Sequence, residues 1–144
     1  MELGLVTMLE KKISETEKKP EIQSRLKEHL DETRKHAELI EGCLKGLDAD
    51  VSGGKDFLSQ MSAATQGFFA SLPEDSLVKN AMGSYAAEHF EIASYTAIQA
   101  AAEELGESGI ADTCSDIIED EIRMANWLAE QLPTVVKEHV GSLS

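Results

Sequence analysis

Glu88 and Glu91 stand one helical turn apart in a stretch otherwise made of alanine, serine, tyrosine, phenylalanine and isoleucine around His89. Glu121 follows Ile118 by three residues and precedes Ala125 by four, so it lies inside an apolar stripe rather than beside it. A carboxylate placed there is costly to fold unless it takes up a proton, meets a cation or ligates a metal. Upstream, His29, Glu32 and His36 are spaced by three and four, which puts them on neighbouring positions of one helix face. Glu2 precedes Leu5 by three and Leu9 by seven, in register with the apolar stripe of the first segment. One inward carboxylate or imidazole from each of four helices is how di-metal carboxylate centres are built in bundle cores. Mixed oxygen and nitrogen donors suit iron or manganese better than soft metals. The expected ligand set is therefore Glu2, His29, Glu32, Glu88, Glu91 and Glu121, with His36 as an alternative nitrogen donor.

The pattern departs from a redox-active di-iron centre in one respect. Such centres carry two Glu-x-x-His units, and this chain contains none: Met124 stands three residues after Glu121, and Lys35 three after Glu32. The His29-x-x-Glu32 order is the reverse, and side chains on a helix lean towards its N-terminus, so reversal changes the geometry. In a glutamate-rich helical chain some of these acids also fall at the core edge by chance and reach water. For Glu2, near a chain end, exposure is the simpler expectation, and His36 fits a core boundary as well as a ligand position.

Positioning these residues requires helices. Leu5, Leu9 and Ile13 recur in successive turns over about residues 2–18. Pro20 opens a second helix to about Leu47, striped by Ile22, Leu26, Leu30, Thr33, Ala37, Ile40 and Leu44. The glycine-rich turn at 48–54 precedes a shorter amphipathic helix carrying Phe57, Met61, Ala64, Phe68 and Leu72, which Pro73 ends. An alanine-rich helix spans about Asp75 to Leu105, where Gly106 stops it. The last runs from about Gly109 towards Pro133, with Cys114, Ile117, Ile118, Glu121, Ala125 and Leu128 on one face. No segment alternates with the period of a strand. The expectation is an all-α fold in a single domain over residues 1–144. Two helical pairs joined by a long connection with its own short helix give the ferritin-like four-helix bundle with a crossover, or an up-down bundle with a lid helix.

Composition narrows the function. A formal net charge of −14, from 27 Asp and Glu against 13 Lys and Arg, leaves no basic surface for nucleic acid or an anionic membrane. Cys43 and Cys114 form no CxxC pair and read as small core residues. With no leader pattern and no apolar run of 18 residues, a cytoplasmic location is expected. Serines and histidines show no nucleophile-base spacing, and Gly53-Gly54 lacks the Lys-Ser/Thr of a phosphate loop.

The segment Ala87-Glu88-His89-Phe90-Glu91-Ile92-Ala93-Ser94-Tyr95 strongly resembles the YciE/YciF family of small bacterial stress-associated proteins, whose third helix carries Val-Glu-His-Tyr-Glu-Ile-Ala-Ser/Ala-Tyr. The likeness continues through Ala102-Glu103-Glu104-Leu105-Gly106, Ile118-Glu119-Asp120-Glu121 and Glu28-His29-Leu30-Asp31-Glu32-Thr33, and so spans nearly the whole chain. The resemblance implies a ferritin-like fold related to rubrerythrin and manganese catalase, a homodimer, and Glu32, Glu88, Glu91 and Glu121 as metal or polar-core positions. Where the family commonly has a lysine after the acidic run, this chain has Ile122. Three readings follow. The first is a ferritin-like stress protein with an iron or manganese centre acting on peroxide or oxygen. The second is a non-catalytic structural homodimer. The third is a protein-interaction module presenting Phe57, Phe68, Phe69 or Trp127.

Overall fold

Helix-forming sequence with apolar residues every three to four positions dictates the architecture. The protein's structure, a computed structural model, describes residues 2–15, 19–47, 60, 63–64, 67 and 77–143, with some side chains inside the helices left undescribed. Among the described residues there are four long helices and no strand: α1 (Glu2–Glu15), α2 (Pro20–Leu47), α3 (Leu77–Glu104) and α4 (Ser108–Ser142). The expected all-α, helical-bundle class is what these elements show. Of the expected short helix, Gln60, Ala63, Ala64 and Gly67 are described and helical, while Phe57, Met61, Phe68 and Leu72 lie outside the described residues.

The chain divides into two compact units, Met1–Gln66 and Gly67–Ser144. In the first, α1 packs on α2. Leu9 from α1 and Leu26 and Leu30 from α2 are buried, as the stripe requires. Pro20 is the first residue of α2, where its missing N–H costs nothing. Gln23 Nε2 donates to the Ile13 carbonyl at 3.0 Å, satisfying one of the carbonyls that the end of α1 leaves over. Arg34 donates to Glu10 Oε1 at 3.0 Å across the exposed side of the pair.

In the second unit α3 packs on α4, and the three residues Leu105–Glu107 connect them. So short a connection makes the two helices antiparallel neighbours. Gly106 adopts φ +75°, and the Gly106 and Glu107 amides donate to the Glu103 and Ala102 carbonyls at 3.1 and 2.8 Å. That is a Schellman closure, in which glycine takes the left-handed position at least strain. Ile110, Cys114, Ile117, Met124 and Leu128 form the buried stripe of α4.

Pro133 does not stop α4, contrary to the sequence expectation; the helix continues through it to Ser142. Proline removes one backbone hydrogen bond and crowds the preceding turn, at a cost of roughly 3 kcal/mol. Val135, buried two residues later, extends the apolar stripe beyond the proline and offsets part of that cost.

Candidate metal centre

Of the polar residues singled out by spacing, His29, His36, Glu88, Glu91 and Glu121 lie on the inward faces of their helices. On α3 the buried face reads Ser84, Ala87, Glu88, Glu91, Ser94, Tyr95, Ile98 and Ala102. Glu88 and Glu91 thus occupy core positions, 1% and 0% exposed. On α4, Glu121 is 0% exposed and sits between Ile117 and Met124 in the stripe. On α2 the inward face carries His29, Thr33 and His36 among Leu26 and Leu30.

Buried hydroxyls on these faces are satisfied within their own helices. Thr33 Oγ1 donates to the His29 carbonyl at 2.8 Å, Ser84 Oγ to Asn80 at 2.9 Å, and Ser94 Oγ to Phe90 at 2.9 Å. Each is a bond to the carbonyl four residues back, so these groups are engaged by backbone. Three carboxylates share these faces. Glu88 Oε2, Glu91 Oε1 and Oε2, and Glu121 Oε2 are all sealed from solvent. Concentrated negative charge away from water needs protons or a cation to balance it.

Within the second unit, Glu88 and Glu121 form a buried pair whose carboxylate oxygens lie within 4.8 Å of one another, a pair able to contribute to a metal site. Carboxylate oxygens are hard donors, fitting iron or manganese in kind. His29 Nδ1 lies 3.3 Å from Glu32 Oε2. That hydrogen bond is the main reason the Glu32 carboxyl is held below its ordinary range; partial burial opposes it, and the charges of His29, Arg25 and His36 reinforce it.

Residues 1–141 match the family described as a domain of unknown function, DUF892. The chain belongs to that family. A crystal structure of a protein from Xanthomonas campestris pv. campestris is similar to this DUF892 chain, at 30% identity and a TM-score of 0.77. The match covers 99% of this chain and 87% of that one.

Of the residues expected at the site in this DUF892 protein, Glu88 and Glu121 come together in the second unit, Glu91 is buried one turn from Glu88, and His29 is buried in the first unit. Glu32 lies beside His29 with its side chain 24% exposed. The side chain of Glu2 lies outside the described residues. His36 is 3% exposed and therefore lies in the core rather than at its boundary. His89, flanked by Glu88 and Phe90 in the sequence motif, is exposed and makes an edge contact with Tyr85 at 4.6 Å between centroids. Sequence reasoning missed the burial of Ser84 and Ser94; their registers, four before Glu88 and three after Glu91, were the available signal. Cys114 is fully buried, as expected, whereas Cys43 is half-buried. No helix among the described residues is long and apolar enough to cross a membrane.

Proposed function

We propose that this protein is a ferritin-like, YciE/YciF-type stress protein that binds iron or manganese among its core carboxylates. The observation that carries the reading is the burial of Glu88, Glu91 and Glu121 on the facing helices of one unit, where apolar side chains would otherwise serve. In this reading Glu88 and Glu121 bind the ion, and Glu91 adds a carboxylate from the next turn. A bound iron or manganese ion would supply redox or Lewis-acid chemistry towards a small oxidant such as peroxide or oxygen. The chain's own contribution is to hold carboxylates out of water, where their attraction for a cation is strongest. The protein works as a cytoplasmic homodimer of single-domain chains.

The test is elemental analysis of untagged protein expressed in iron- and manganese-supplemented medium and purified without chelators. The reading predicts about one or two equivalents of either metal per chain, lost in Glu88→Ala and Glu121→Ala. No stoichiometric metal in wild type would overturn it and leave a non-catalytic structural homodimer as the better account.

A further inference from the structure

Among the described residues, α3 exposes a long helix face without a single acid. Met82, Ala86, His89, Ala93, Thr96 and Ala100 are all exposed, and they recur at alternating steps of four and three along the helix. Between Asn80 and Ala102 the acids are Glu88 and Glu91, and both lie on the buried side. By contrast, α2 exposes Glu28, Asp31, Arg34 and Glu38, and α4 exposes Asp112, Asp116, Glu119 and Glu130. A helix that is apolar or small all round is ordinarily covered on every side. α3 is covered on the side of Ala87, Tyr95 and Ile98 and open to water on the other.

Steps of four and three are the seam of a coiled coil, which a second helix covers. Alanine at alternate places of the seam lets two helix axes come close. Charge then selects the occupant. Copies of a chain with net charge −14 repel, so they can meet only where neither brings an acid. The face is also complementary to itself when two copies run antiparallel about its midpoint. Met82 then comes level with Ala100 of the second copy, Ala86 with Thr96, and His89 with Ala93, a larger side chain against a smaller one each time. The same register brings Lys79 level with Glu103 of the second copy, opposite charges at each end of the seam. Parallel pairing would instead set methionine on methionine and histidine on histidine.

We propose that this face of α3 is the homodimer interface, paired antiparallel about a two-fold axis level with Glu91. The inference deepens the homodimer part of the reading above and does not depend on the metal. The experiment is sedimentation equilibrium of the full chain across the micromolar range. Wild type should be a dimer. Ala93→Glu, beside the axis, should weaken association about 30-fold or more, because it brings two like charges into the seam. Its circular dichroism and urea midpoint should stay those of wild type, since the position is exposed in the single chain. Ala129→Glu, exposed on α4, should leave the dimer intact. Disulfide cross-linking in a Cys43→Ser background reads the register: Ala86→Cys chains should link to Thr96→Cys chains in an equal mixture, and neither to its own kind. Should Ala93→Glu lose its fold, the cross-linking decides. A dimer that Ala93→Glu leaves unchanged, or Ala86→Cys chains that link to one another as fast, would overturn this interface while the homodimer stands. A wild-type monomer across that range would sink the homodimer and this inference together.

Discussion

Replacing Glu121 by glutamine should stabilise the metal-free protein and destabilise it relative to wild type once metal is added. Oxygens of Glu88 and Glu121 lie within 4.8 Å of each other and away from water. Two unit charges at that separation repel by about 3.5 kcal/mol at an effective dielectric constant of about 20. About 3–4 kcal/mol of repulsion therefore opposes the metal-free site. Glutamine removes it, but its own buried amide takes back about 2 kcal/mol in desolvation. The net expectation at neutral pH is a gain of about 1–2 kcal/mol, measured by urea unfolding of chelator-treated protein. With Mn2+ at about 100 times its Kd the wild type should gain about 2.7 kcal/mol and the variant much less, reversing the order. A metal-free Glu121→Gln protein less stable than wild type by 1 kcal/mol or more would refute the reasoning, because the carboxylate would then be held by favourable internal contacts.

Three other substitutions probe the scaffold and the α2 pair. Gly106→Ala should cost about 1–2 kcal/mol, since φ +75° is strained for any residue with a Cβ although no side chain crowds the site; an unchanged urea midpoint would contradict this. Pro133→Ala should raise stability by about 1–3 kcal/mol by restoring a helical hydrogen bond at an exposed position, seen as a higher Tm. For Glu32 the folded carboxyl sits below its ordinary value of 4.5, so its stabilising contribution is present above that pH and is lost as pH falls below it. In chelator, wild type should therefore exceed Glu32→Gln in stability between pH 5 and 7, and the gap should close towards pH 3; a gap constant over that range would contradict the assignment.

Much of this molecule is legible in its sequence because helix period and apolar spacing are strong signals. The inward position of Glu121 follows from Ile117, Met124 and Leu128 around it, and those of Glu88 and Glu91 from Tyr95 and Ile98 on the same stripe. The C-terminal reach of α4 was not legible. A proline ordinarily ends such a pattern, and only the burial of Val135 beyond it shows that packing outweighed the local cost. Nor could spacing alone show that Glu32 meets the His29 ring. Residues three apart share a face, and the 3.3 Å contact between them depends on how the side chains lean. His36 shows the same limit from the other side: its register fitted the core edge, yet it is buried.

The central claim is that a metal ion sits among the core carboxylates of the second unit, Glu88, Glu91 and Glu121. Its most direct test is anomalous diffraction from crystals of the full chain grown with Mn2+, recorded on both sides of the manganese absorption edge. The account predicts an anomalous peak within about 2.0–2.3 Å of a Glu88 oxygen and a Glu121 oxygen. Peaks confined to exposed surface acids, with ordered density for those two side chains and nothing between them, would contradict it.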